Sequence, residues 1–387
     1  MQQNTATNTV AITRRVSIGV SCALMLLASA AVAGPVSVVN LVTNNQAAHP
    51  AQITDPNLVN PWGIASSSSS PFWVSDNGTG VATLYKVDPS TNATSIQALV
   101  VSMPGSGSVT GQVFNPSSNF NSDLFLFASE DGSISGWRGA LGTTAEQLQG
   151  GFAQSVYKGV TLGTHNGDDY LYSADFGMNE IDVLQGTGAP ALSGTFTDNS
   201  LPSGYAPFNI QNLGGKLFVT YALQDATHHD EVDGLGNGYV DEYDTGGNLI
   251  ARIASGGVLD APWGLTLAPS SFGDLAGDLL VGNFGSGTIE AIDLTTNTSD
   301  GLLTDGTGKT VVIDGLWALT PGNDGSGGSS DKIYFTAGPD NESNGLFGVI
   351  SAVAGVPEPT TWIELLFGFA LTAVLFRRRN ASPSLID

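Results

Sequence analysis

The chain is poor in cysteine and in positive charge, and each shortage removes a class of protein. Its one cysteine, Cys22, lies inside an N-terminal apolar run, so disulfides are excluded from everything downstream of that run. Stability has to come from core burial, with bound metal as the other option. Lysine and arginine total 12 against 35 acidic residues, a net charge of −23. Arg14, Arg15 and Arg377–Arg379 sit in the two end segments, which leaves the middle more acidic still. Such a field repels nucleic acid and anionic lipid, and it favours solubility or divalent cations; nucleic-acid binding is excluded. There is no Gly-x-Ser-x-Gly elbow and no phosphate-gripping loop. Histidine is limited to His49, His165, His228 and His229, and His165 reads as a hairpin turn residue. Sustained helical periodicity is missing from the middle of the chain, where only Thr144–Gln149 hints at a helix.

What is present at the ends is an address. Residues 1–33 read as a signal peptide: Arg14 and Arg15, an apolar stretch from Val16 to Ala30, then Ala31-Val32-Ala33 as the small-x-small cleavage pattern. The arginine pair leaves both the general and the twin-arginine export routes open. At the other end, residues 356–387 carry Pro357, Glu358 and Pro359, an apolar segment near 361–376, and Arg377, Arg378 and Arg379. Fifteen helical residues reach about 22 Å, short of a hydrocarbon core of about 30 Å; Trp362 and snorkelling arginines extend the reach. The arginines stay cytoplasmic and everything before them lies outside. This order of motifs closely resembles the PEP-CTERM sorting signal. The resemblance implies processing by signal peptidase and exosortase in a Gram-negative, exopolysaccharide-producing bacterium. It also implies transient anchoring in the inner membrane and delivery to the outer surface or matrix. The alternative is a plain membrane anchor.

Between the ends, residues 34–355 contain a repeat. Asn60-Pro61-Trp62-Gly63-Ile64 returns as Ala261-Pro262-Trp263-Gly264-Leu265 and as Leu316-Trp317-Ala318-Leu319. The spacing predicts further units at Gly111–Phe114, Lys158–Leu162 and Pro207–Ile210, six in all. Each holds short β-rich runs parted by polar Gly/Asp/Asn turns, such as Phe72-Trp73-Val74 and Leu279-Leu280-Val281. The expected fold is therefore all-β, a six-bladed β-propeller of four-stranded units. The last unit has room for only three strands, so Val36–Val42 is expected to close the ring. Two packed sandwiches are the competing architecture. Asp55–Ile64, Phe72–Gly80, Tyr205–Asn212 and Asn283–Gly287 together resemble an uncharacterised family of secreted propeller-like proteins, some with PEP-CTERM tails. That resemblance implies a fold and an address, with no catalytic residues.

Candidate chemistry gathers on one face. The alignment places Asp76, Glu130, Asp175, Asp225 and Asn283 at equivalent turns, with Asp340 close to its own. A ring of such oxygens would suit Ca²⁺, although Asp and Asn are also ordinary turn-capping residues. The fourth unit's turn is enlarged and carries His228, His229, Asp230, Asp233, Asn237 and Asp241. It is read either as a metal or ligand loop or as a solvated insertion over the mouth. Trp62, Trp263 and Trp317 recur at a structural position, which blade packing explains. The leading expectation is a non-enzymatic module binding exopolysaccharide or a matrix protein. A Ca²⁺-dependent hydrolase of lactonase or phosphoesterase type and a protein-interaction platform are the alternatives.

Overall fold

A computed structural model describes residues 35–353. The leader, residues 1–33, and the sorting tail, residues 356–387, lie outside the described residues. Among the described residues, no helix is long and apolar enough to cross a membrane.

Among the described residues, six largely antiparallel sheets succeed one another along the chain. Their innermost strands are Pro61–Ala65, Val109–Phe114, Tyr157–His165, Tyr205–Leu213, Pro262–Leu267 and Leu316–Pro321. Each of these touches the next, and the last returns to the first. The result is a six-bladed propeller. The inner strand Pro61–Ala65 and its neighbour Phe72–Asp76 are buried along their whole length, because adjacent blades cover both faces. The outer strand Thr94–Ile96 is open to solvent. This is why the apolar runs visible in the sequence mark the two strands nearest the axis. Aromatic side chains fill the wedges between blades, as where Trp73 stacks on Phe125 at 4.2 Å.

The ring closes as expected. Pro35–Thr43 pairs antiparallel with Leu346–Ala352 and completes the sixth blade. Two expectations need correction. Thr144–Gln149 is not helical: Glu146–Gln149 is the outer strand of the second blade, held by pairing to Ile134–Trp137, so tertiary pairing overrides a weak local preference. The third blade has three strands rather than four. Past Gln185 the chain meets Gly186, Gly188 and Pro190, which do not sustain a ladder. It crosses to the fourth blade instead, where Gly194 and Phe196 donate to the carbonyls of Gly246 and Gly247. His165 does end a hairpin, with Asn166 and Gly167 at positive φ in its turn.

Candidate functional site at the upper face

All six innermost strands carry an irregularity of register near their first residues, on what we call the upper face. A bulge re-aims the extra side chain. Here the residues so placed are Trp62, Thr110, Lys158, Phe208, Trp263 and Trp317, and all are buried. Glycine follows four of them, because the inner strands approach too closely for a side chain. A Cβ on Gly63 would meet the Thr110 carbonyl oxygen at 2.7 Å, and one on Gly159 would meet Asn209 Oδ1 at 2.0 Å. The indoles plug the axis: Trp62 stacks on Trp317 at 3.6 Å, and Trp263 stands edge-on to both.

Lys158 therefore occupies a position that four other blades give to an aromatic ring. Its side chain is 1% exposed, and Nζ lies 2.7 Å from Glu130 Oε1 and 3.5 Å from Asp230 Oδ1. Nζ also sits 5.0 Å from the centroid of the Trp62 ring, a desolvated cation–π contact worth about 2 kcal/mol. Burial pulls the ammonium's pKa down, but the charges of Glu130, Glu231 and Asp230 outweigh it and hold the lysine above its ordinary value. Amides complete the cage. Asn77 donates to Glu130 Oε2 at 3.1 Å, Asn60 donates to Glu342 Oε1 at 3.1 Å, and the Trp317 indole donates to Asn60 Oδ1 at 3.0 Å. One cation serves four carboxylates, and the surplus shows in the proton affinity of two of them. Burial pushes Glu231 up to about 7 and raises Glu342, in each case against the pull of Lys158.

The residues expected to form an acidic ring are placed very differently from one another. Only Glu130 joins the cage. Asp76 is buried inside the first blade, accepting from the Thr83 hydroxyl at 2.7 Å; burial pushes its pKa well up, with Thr83 opposing and Asp55 adding. Asp175 Oδ1 accepts the backbone N–H groups of Val156 and Met178, both at 3.0 Å. Asp225 caps its own turn through the N–H groups of Thr227 and His229. Asn283 Oδ1 accepts from the Asp260 N–H at 3.0 Å. Asp340 pairs with His49 at 2.7 Å. The structure does not bring these oxygens together; a hydroxyl, backbone N–H groups or a side-chain nitrogen engages each of them separately.

The enlarged loop is equally divided. His229 and Asp230 hydrogen-bond each other at 2.9 Å. With Glu130 they are the one trio among the described residues whose potential ligand atoms all lie within 4.8 Å of each other. Lys158 already lies against two of the three. His228 is exposed at positive φ. Asp233 comes beside Gly285 and Asp260. Asn237 holds the loop through the Val232 carbonyl at 3.1 Å. Asp241 is outside the loop: it lies in a strand of the fourth blade, buried and paired with Arg252.

Next to the cage the upper face opens into a cleft of about 600 Å³. Glu130, Phe152, Gln154, Met178, His228 and His229 contribute to its walls. Phe152 is 54% exposed and Met178 46%.

No protein-family model matches the chain. It is 33% identical to "Uncharacterized protein R648" of Acanthamoeba polyphaga mimivirus over 332 residues, which is 80% of this chain and 78% of that one. It is 30% identical to "Uncharacterized protein L690" of the same virus over 318 residues, 76% of this chain and 80% of that one. The chain belongs to the family of these mimiviral proteins. They are viral, so they do not speak to the bacterial address that the tail resemblance implies. Solved structures that resemble it include a streptogramin B lyase (13% identity, TM-score 0.48, 84% of this chain and 100% of that one). Another is the PQQ-bound aldose sugar dehydrogenase from Streptomyces coelicolor (15% identity, TM-score 0.47, 84% and 100%). At such distances the likeness says nothing of activity.

Proposed function

We propose that the chain is an exported cell-surface or matrix protein whose propeller is a non-catalytic binding module, with the upper cleft as its glycan contact. The reading rests on one observation: an exposed aromatic ring, Phe152, flanks a cleft of about 600 Å³ beside Glu130 and the exposed His228 and His229. An apolar platform next to hydrogen-bonding groups meets the two chemistries of a sugar ring, its C–H face and its hydroxyls. Of the acids expected in a ring, Glu130 alone reaches the cage, where Lys158 compensates it. Glycan-array and exopolysaccharide pull-down measurements with the purified chain test the proposal. Phe152→Ala is expected to weaken retention about tenfold, the scale of one lost stacking contact. Absence of any retained glycan, with and without Ca²⁺, sinks it.

A second reading, a Ca²⁺-dependent hydrolase of lactonase or phosphoesterase type, draws on Glu130, His229 and Asp230. It requires an ion to displace Lys158 from Glu130. A calorimetric Ca²⁺ titration showing no heat of binding for the native chain removes it.

A further inference from the structure

The opposite, lower end of the innermost strands opens into a different cleft, of about 640 Å³. Five of the six blades contribute to it, through Ile64, Gln112, Thr161, Gln211 and Thr320 among others. In so acidic a chain its walls hold a single charged residue, Asp169. Both carboxylate oxygens of Asp169 are occupied, accepting from Asn119 Nδ2 at 2.8 Å and from the Thr164 hydroxyl at 3.1 Å. Serine and threonine hydroxyls, carboxamides and short apolar patches make up the rest.

Gln112 is the informative side chain. It is 6% exposed, and Nε2 donates to the carbonyls of Gly63 and Trp73, each at 2.8 Å. Two carbonyl partners settle which end of the amide is nitrogen. Oε1 is then left buried with no partner among the described residues. A buried acceptor left without a donor costs about 1–3 kcal/mol, so this position calls for an O–H or N–H. In the same wall the side chains of Gln211 and Thr320 make no hydrogen bond to other described residues.

We infer that the lower cleft is a binding site for a neutral polyhydroxylated ligand, a sugar unit whose hydroxyls pair with Gln211 and Thr320 in the wall beside the Gln112 amide. Charged ligands have no counter-charge here, and the cleft falls in the size range of small-molecule sites. The site is separate from the upper cleft. The axial space between them, lined by residues of all six innermost strands, measures about 20 Å³, room for one water. The inference therefore stands whether or not the upper face binds glycan.

Calorimetric titration of the full chain with neutral trisaccharides (maltotriose, cellotriose, laminaritriose) and with their polymers tests it. One of these is expected to bind equally at low and high salt, and polymer binding without trisaccharide binding would point to an extended chain as the source. Gln112→Met removes the unpaired oxygen but also two structural bonds. Gln211→Ala and Thr320→Val are therefore the decisive variants, each expected to weaken binding about tenfold. No binding by any of these saccharides overturns the inference. So does binding that is lost with Phe152→Ala yet indifferent to Gln211→Ala and Thr320→Val.

Discussion

At the upper end of the innermost strands, Lys158 is packed among Glu130, Asp230, Glu231 and Glu342. At the lower end of the same strands, hydroxyls and carboxamides surround one self-satisfied aspartate. The backbone is common to both ends, so it cannot be the source of the contrast. What differs is where the bulge falls. At the top it turns one side chain per blade toward the axis, and a lysine there must gather acids around itself to remain buried. At the bottom the strands run straight into their turns, and neutral groups suffice.

This contrast can be broken by mutation, and the largest effect is expected at the top. Lys158→Met leaves the partly buried Glu130, Glu231 and Glu342 without their cation and should cost about 3 kcal/mol in urea denaturation. Adding Glu130→Gln should recover a large part of that loss; a double variant as unstable as the single would show that the lysine acts by shape and not by charge. At the bottom, Gln112→Ala removes two hydrogen bonds to backbone carbonyls, with an expected cost of about 1–3 kcal/mol. A loss at Gln112 equal to that at Lys158 would erase the distinction between the ends.

A pH measurement sharpens the same point. Glu231 has a folded pKa near 7, above its unfolded value of about 4.3. Folding therefore favours the protonated form, and its contribution is full below the unfolded pKa and fades as pH rises through about 7. Glu231→Gln should raise Tm relative to the native chain at about pH 8, and the difference should vanish at about pH 4. The smallest effect is expected at the rim of the upper face. Leu235 is 74% exposed, and Leu235→Ser should change stability by no more than about 0.5 kcal/mol.

Much of the architecture was legible in the residues. Trp62-Gly63 and Trp263-Gly264 mark innermost strands because the bulge needs a large side chain and the close approach next to it needs none. Val36–Val42 could be assigned as the closing strand by counting strands. The candidate site was far less legible. Asp76, Glu130, Asp175 and Asn283 look alike in a repeat alignment, yet only Glu130 faces Lys158. The others are turned aside by hydroxyl or N–H groups beside them. Lys158 itself did leave a trace, a lysine where four other units place an aromatic, although its meaning depends on partners far away in the chain. Asn60 and Glu342, for instance, meet across 282 positions. The third blade's missing strand was marked by its glycines and proline, whereas the crossing to the fourth blade was not.

Local chemistry and spacing alone determined the six units, the excess of acid and the strand that joins the two ends of the ring. These follow from short-range rules of pleat, turn and period that any stretch of chain obeys where it stands. Only the tertiary structure decided which carboxylates meet, and that one face is charged while the other is neutral. Closing the ring sets side chains from different blades within a few ångströms of each other around the axis, and there desolvation and charge compensation depend on neighbours that sequence order does not supply.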